Sequence, residues 1–204
     1  MSSDPSPFSA YGVFAPMFDD GHYLPLLNFN RPDDAVAALH RIVSARSPGL
    51  EANLLALLDP SAGWRPQLVG VAAMVAGAAT RTTVEALWVA LAEPSFVSPQ
   101  LAVAAYLLDP DFEVRARSRI ANGCRVDPHR LREKYPDEDW PASPDAKQLA
   151  AMIALCSRLP HATWLADLAS SAEVRAILGE ARYDSSGIAL GWLERASQVL
   201  PPAL

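Results

Sequence analysis

The stretch EANLLALLDPS at residues 51–61 recurs as EALWVALAEPS at residues 85–95, and this recurrence decides the predicted fold. Six of the eleven positions are identical at an offset of 34 residues. The match resumes at Pro66-Gln67-Leu68, which aligns with Pro99-Gln100-Leu101 at an offset of 33. Self-similarity at one short spacing is typical of repeat architectures, so the sequence predicts a duplicated unit of 33–34 residues.

Each unit predicts a pair of helices. The first helices, 50–58 and 83–92, end where an acidic residue precedes proline, because proline disfavours helical geometry in the residue before it. The second helices open near Pro66 and Pro99, where a missing N–H costs nothing. These second helices are apolar nearly all round and must be buried on several sides. Since no such pair buries its apolar surface alone, the predicted fold is all-α, an α-solenoid of stacked antiparallel helix pairs.

The rest of the chain extends this pattern. Fainter copies of the unit begin at Arg31-Pro32 and at Ser143-Pro144. No run of β-branched residues alternates with polar ones, so the sequence predicts no strand. A single helical domain is therefore expected over residues 31–200, with further helices near 32–44, 111–121, 144–158, 162–170, 172–182 and 186–199.

Two segments differ from the helical pattern. Residues 1–30 contain four prolines and six aromatic residues, and they predict an extended N-terminal arm that covers one end of the solenoid. Residues 122–143 form a polar segment punctuated by proline. Because loops of this length usually carry function or move, this segment is the first candidate for a special site.

Composition excludes several classes of protein. The chain has 204 residues, half of them hydrophobic, with a net charge of -6, which excludes global disorder. A pI near 5.2 argues against a nucleic-acid binder and favours a basic partner. The longest apolar run, 68–79, is too short to span a bilayer, and no signal peptide opens the chain. With two unpaired cysteines, a cytoplasmic location is expected.

Arginines are concentrated after the duplicated units. Arg115, Arg119 and Arg125 belong to a basic stretch that runs to Lys134. One interpretation is an anion-binding site, in which Arg115 and Arg119 share a helix face. The other is a solvated helix face whose cations pair with neighbouring acids.

Residues of several types are candidates for contact with a partner protein. Two tryptophans stand in loops just before predicted helices, where they either anchor an interface, as an exposed tryptophan in a loop typically does, or pack as a lid between adjacent helix pairs. Two glutamines recur at one register on buried-looking helices, where they either bond a neighbouring loop or line a concave face. An acidic run supplies charge for a basic partner. The candidates are Trp64, Gln67, Gln100, Asp137, Glu138, Asp139 and Trp140.

Signatures of catalysis are missing from the sequence. It contains no G-x-S-x-G and no phosphate-binding glycine loop. Its four histidines are scattered, and no Cys–His spacing resembles a zinc site. The sequence therefore predicts no enzyme, no cofactor and no metal.

The helix–turn–helix period over residues 31–108 resembles the HEAT- and armadillo-like α-repeats, although their period is somewhat longer, about 40–47 residues. The length fits tetratricopeptide repeats better, but their W-x2-L-G-x2-Y pattern is absent. Such families are mostly protein-binding scaffolds, so the resemblance implies recognition rather than chemistry.

Two functions are consistent with these features. The first is a non-catalytic scaffold that binds a basic protein partner, as an intracellular inhibitor or adaptor. In size and charge the chain looks like the toxin-neutralising immunity proteins of bacteria. The alternative is a small helical enzyme or an anion- or ligand-binding protein whose site lies within residues 109–140.

Overall fold

The structure is a computed structural model that describes residues 8–126, 144–179 and 183–200. In this part of the chain it is all-α, and no strand occurs there; one isolated bridge joins Arg125 and Pro144. The helices are α1 (Pro16–Asp19), α2 (Tyr23–Leu26), α3 (Asp33–Ser44), α4 (Leu50–Leu58), α5 (Trp64–Ala73), α6 (Arg81–Ala90), α7 (Ser98–Leu108), α8 (Phe112–Ala121), α9 (Ala146–Cys156), α10 (Trp164–Ser170), α11 (Ala172–Gly179) and α12 (Ser185–Val199).

The N-terminal segment, as far as it is described, is not the extended arm that the sequence predicts. Residues 9–14 form a 3-10 turn, and α1 and α2 follow at once, so residues 8–30 are largely helical turns. The cause is their apolar content: Phe14, Met17 and Leu26 are fully buried and belong to the main core. An extended chain would leave such side chains in water, at a cost of about 1.5–3 kcal/mol each.

Helices α4 to α7 contain the two recurring sequences. Helix α4 packs against α5 and α6, and α7 packs against α5 and α6. The close approach of α5 to α4 depends on Gly70, where a Cβ atom would lie 3.3 Å from Leu57 and Leu58 side-chain atoms. The predicted burial of the second helices is confirmed, because all of 66–73 in α5 and 98–105 in α7 is buried.

The boundaries of these helices follow from local hydrogen bonds. The Asp59 side chain accepts from Ser61 N after α4 ends, as expected for an acid before proline. Helix α6 begins two residues earlier than predicted because Thr80 and Thr83 form a capping box. Helix α5 begins at Trp64 rather than Pro66, and a π turn at Met74–Ala78 continues it.

The C-terminal half is organised around α7. Helices α9 and α12 pack against α7 and against each other, and α8 packs on α9. Trp192 of α12 reaches back to the N-terminal segment, where its Nε1 donates to Leu26 O at 3.0 Å. Of the predicted loop at 122–143, residues 127–143 lie outside the described residues, so that prediction is not tested there. No helix in the described ranges is long and apolar enough to cross a bilayer.

Candidate functional site

Arg115 is held by acidic side chains of its own chain. Its guanidinium donates two hydrogen bonds to Glu85, at 2.9 and 2.5 Å, and its Nε lies 3.4 Å from the buried carboxylate of Asp109. The guanidinium carbon also lies 5.6 Å from the ring centroid of Trp88. The hydrogen bond from Arg115 lowers the pKa of Glu85. Arg115 therefore clamps α8 to α6.

The other two predicted anion-binding residues are engaged in the same way. Arg119 donates to Leu91 O at 2.7 Å and to Gln148 Oε1 at 2.6 Å, so it joins α8 to the end of α6 and to α9. Arg125 forms an ion pair with Glu173 at 2.9 Å. The guanidinium groups of the three arginines thus each bind different partners within the chain.

Gln67 and Gln100 are each only 2% exposed. Gln67 Oε1 accepts from Ser95 Oγ at 2.6 Å, and Gln100 Nε2 donates to Leu27 O at 3.1 Å. Of the two interpretations from sequence, the bond to a neighbouring loop is the one that these distances support.

Trp64 lies half-buried at the start of α5, within a row of aromatic rings. Its ring centroid is 5.3 Å from that of Phe96 and 6.1 Å from that of Tyr23, and Arg65 stacks over it at 4.6 Å. The remaining partner-binding candidates, Asp137, Glu138, Asp139 and Trp140, lie outside the described residues.

A groove opens beside this row of rings, between the N-terminal segment, α7, α9 and α12. This groove has a volume of about 430 Å³. A second cavity of about 470 Å³ adjoins it along α12, because four residues line both. The described residues that line the groove are Leu27, Asn28, Phe96, Pro99, Gln100, Lys147, Tyr183, Ser185 and Ile188.

The groove has apolar walls, and three large apolar side chains at its rim are exposed. Phe96 is 58% exposed, Tyr183 67% and Ile188 44%. Phe96 is held in the turn before α7, where it packs on Trp64, and Ile188 stands one turn into α12. Side chains of this kind at an open cleft can cover the apolar part of an occupant.

Polar groups of three kinds belong to residues that line the groove. Gln100 Oε1 and Ser185 Oγ are buried, and neither has a hydrogen-bond partner. Lys147 is half-buried, with its Nζ 3.2 Å from Ser95 O and 5.8 Å from the ring centroid of Phe96. An acceptor, a hydroxyl and a cation therefore line one groove, which suits an occupant that carries a donor and an anionic group.

Sequence reasoning missed this groove because it joins residues from four distant segments. Two signals were present. Lys147 is one of only two lysines in the chain, and Phe96 is an aromatic residue in a turn flanked by Pro94 and Pro99. Nothing in the sequence around Ser185 indicated that its hydroxyl would be buried without a partner.

The cysteines offer no nucleophile. Cys124 and Cys156 are buried, and burial raises the pKa of each thiol to about 12. A thiol with this pKa is fully protonated at neutral pH and unreactive. In the described ranges no three side chains of His, Cys, Asp or Glu are grouped as metal ligands.

Comparison with known proteins adds no relative. No family model, no curated protein and no solved structure matches this chain.

Proposed function

We propose that this chain is a non-catalytic protein-binding protein, an intracellular inhibitor or adaptor of the immunity type, and that the groove is the centre of its recognition surface. The observation that carries the proposal is the clustering of Phe96, Tyr183 and Ile188 around one cleft. Large exposed apolar side chains are ordinary when scattered, but a cluster beside a cavity is typical of an interaction site. Aromatic residues of this kind supply much of the binding energy at interfaces.

The proposed scaffold is the stack of helix pairs. Two features support it: α4 and α6 pack together, and so do α5 and α7, as expected when one hairpin lies on the next. In such a stack the surface at one end is free to bind, and the groove lies at the N-terminal ends of α7 and α12.

The proposed partner is basic, and the proposed location is the cytoplasm. The chain carries a net charge of -6, and four exposed carboxylates lie on or next to α1 and at the start of α3, at Asp19, Asp20, Asp33 and Asp34. Leu27 and Asn28, which follow α2, line the groove, so this acidic segment adjoins it. A basic partner centred on the groove would therefore also face these carboxylates, which would speed its association at low salt.

A second candidate function is the binding of a small ligand in the same groove. Its volume of about 430 Å³ lies within the range of about 300–1,000 Å³ that is usual for ligand pockets. The location that the sequence suggests for such a site, around Arg115, Arg119 and Arg125, has less support because those guanidinium groups already bind partners within the chain.

The test is quantitative affinity capture with matched variants. The double variant Tyr183→Asp with Ile188→Asp places two charges on the groove rim, whereas Val114→Asp places one on a 72% exposed residue of α8. We expect the unaltered chain and the Val114 variant to retain one basic protein in stoichiometric amount. The groove variant should lose it, and higher salt should weaken its capture.

Two results would contradict the proposal. One is the absence of any stoichiometric partner for the unaltered chain. The other is equal capture by the groove variant and the Val114 variant, which would place the interface elsewhere.

A further inference from the structure

Unpaired buried oxygens single out the groove from the rest of the molecule. Within the described ranges, three buried side-chain polar atoms lack a hydrogen-bond partner, and two of them, Gln100 Oε1 and Ser185 Oγ, belong to residues that line it. Buried polar atoms are nearly always paired in native proteins, so an unpaired one asks for an explanation. Two in one cavity are explained together by an occupant that supplies their partners.

The chemistry of each atom restricts that occupant. The amide nitrogen of Gln100 donates one of its two N–H groups to Leu27 O, whereas its carbonyl oxygen has no partner. A carbonyl oxygen accepts, and the occupant must therefore bring an N–H or O–H group. The Ser185 hydroxyl can donate to an anionic oxygen.

Lys147 adds a positive charge to the groove, and its ammonium group forms no ion pair within the described residues. Its ammonium group has three donors, and one of them is directed to Ser95 O. The nearest acid in sequence, Asp145, is occupied: its carboxylate accepts from the backbone N–H groups of Lys147 and Gln148 and from Ser98 Oγ. A carboxylate on the occupant would complete the set, and charge-assisted hydrogen bonds are the strongest of their kind.

The shape of the groove favours a chain over a compact molecule. The groove adjoins the second cavity along α12, and at Gly191 that helix presents open backbone, since a Cβ atom placed there would have no neighbouring atom within 4 Å. Phe96 and Ile188 provide apolar walls for a side chain beside the polar atoms. A carboxylate, a peptide N–H and an apolar side chain within one residue are what the end of a polypeptide offers.

We propose that the groove binds the carboxyl-terminal end of a partner protein's chain. Lys147 and Ser185 hold the terminal carboxylate, Gln100 Oε1 accepts the last peptide N–H, and the terminal apolar side chain lies between Phe96 and Ile188. This inference rests on the proposed function and deepens it, because it names which part of the partner enters the groove. Capture of a terminal carboxylate is one of the recurring modes of peptide recognition.

The experiment is an NMR titration of the full ¹⁵N-labelled chain with three probes, each up to about 10 mM. The first is N-acetyl-Gly-Gly-Leu with a free carboxylate, and the second is the same peptide with a terminal amide. The third, 4-methylpentanoate, keeps the carboxylate and the branched apolar group but lacks the peptide N–H. We expect the free-acid peptide to shift the side-chain amide resonances of Gln100 and to bind about tenfold more tightly than either other probe.

Variants separate the roles of the polar groups. Ser185→Ala and Lys147→Met should each weaken binding of the free-acid peptide by about tenfold. Lys147→Arg should retain most of the affinity because it keeps the charge. The matched control is Ser186→Ala, since the Ser186 hydroxyl donates to Ala150 O and does not line the groove.

The possible outcomes discriminate between the ideas. Equal affinity for the acid and amide peptides, or no shift of Gln100 with any probe, overturns the proposal of a bound chain end. Tighter binding of 4-methylpentanoate than of the peptide also overturns it, and indicates a small carboxylate ligand. If the groove variant loses the partner while the peptides fail to bind, the proposed function survives and this inference alone is wrong.

Discussion

Replacing Ser185 by alanine should stabilise the protein in the absence of any partner. Ser185 is the first residue of α12 and is 1% exposed, yet its hydroxyl has no hydrogen-bond partner. The helix does not need the hydroxyl, because Asp184 caps it by accepting from Gly187 N at 2.8 Å. Leaving a buried polar group unpaired costs about 1–3 kcal/mol, and alanine removes that cost.

The magnitude follows from the same numbers. We expect Ser185→Ala to raise the free energy of unfolding by about 1 kcal/mol, and Tm by about 2–4 °C for a chain of this length. Ser186→Ala is the matched control on the next residue, where the hydroxyl donates to Ala150 O at 3.2 Å. Its loss should lower the free energy of unfolding by about 1 kcal/mol.

Urea unfolding followed by circular dichroism measures both variants, and an unchanged m-value shows that the shift in midpoint reports stability. The reasoning is refuted if both serine variants lose stability by similar amounts. That result would mean that the Ser185 hydroxyl has a partner in the free protein and is not reserved for an occupant. A stabilised variant that also loses peptide affinity is a combination that a purely structural serine would not give.

Four further predictions test the packing of the helices and the titration of the buried cysteines. Gly70→Val should lower the free energy of unfolding by about 1–3 kcal/mol because it forces α5 away from α4. Gly191→Ala, whose added Cβ atom meets no atom within 4 Å, should raise the free energy of unfolding by about 0.5–1 kcal/mol. Unfolding calorimetry measures both changes. Asp145→Ala should cost about 2 kcal/mol in a denaturant titration, since it removes the cap of α9 and the partner of a buried serine hydroxyl. Cys124 and Cys156 should resist a thiol reagent at pH 8 until the chain unfolds. Folding raises the pKa of each thiol from 9.0 to about 12. The stability that the protonated thiols contribute is therefore complete below about pH 9 and is lost as the pH rises towards 12.

The helices that could be predicted are those whose ends are set by local chemistry. The segment predicted at 186–199 is α12, and the segment predicted at 111–121 is α8, in each case within one residue at either end. Proline, capping side chains and a 3.6-residue apolar period act within a few residues, so sequence alone exposes them. The all-α class follows directly from these local signals.

The N-terminal segment and the arginines could not be predicted in the same way. Phe14 and Met17 fold into short turns because helices far along the chain offer them a core, which local propensity does not register. Arg115 looks like a free cation in the sequence, but its partner Glu85 lies 30 residues away on another helix. Long-range pairing converts a candidate anion site into a clamp between helices.

The two Pro-Gln-Leu sequences place matching glutamines in different surroundings, so that one carbonyl oxygen has a hydrogen-bond partner and the other has none. Gln67 and Gln100 stand at the same position of α5 and α7, and both are buried. The carbonyl oxygen of Gln67 accepts from the Ser95 hydroxyl, and Ser95 lies in the turn that precedes α7. The corresponding oxygen of Gln100 has no such donor. Beyond α7 the packing changes: α9 and α12 cover α7, and the groove remains beside Gln100.

The difference between the two glutamines follows from what packs beside each of them. The turn before α7 supplies the donor that the buried carbonyl oxygen of Gln67 needs, and this hydrogen bond helps to fix how the apolar helices α5 and α7 pack. The corresponding oxygen of Gln100 must find its donor in an occupant of the groove or remain unpaired, at a cost in stability. Retaining the glutamine at that position is understandable if an occupant brings the donor, and an apolar residue there would be the better choice if none did.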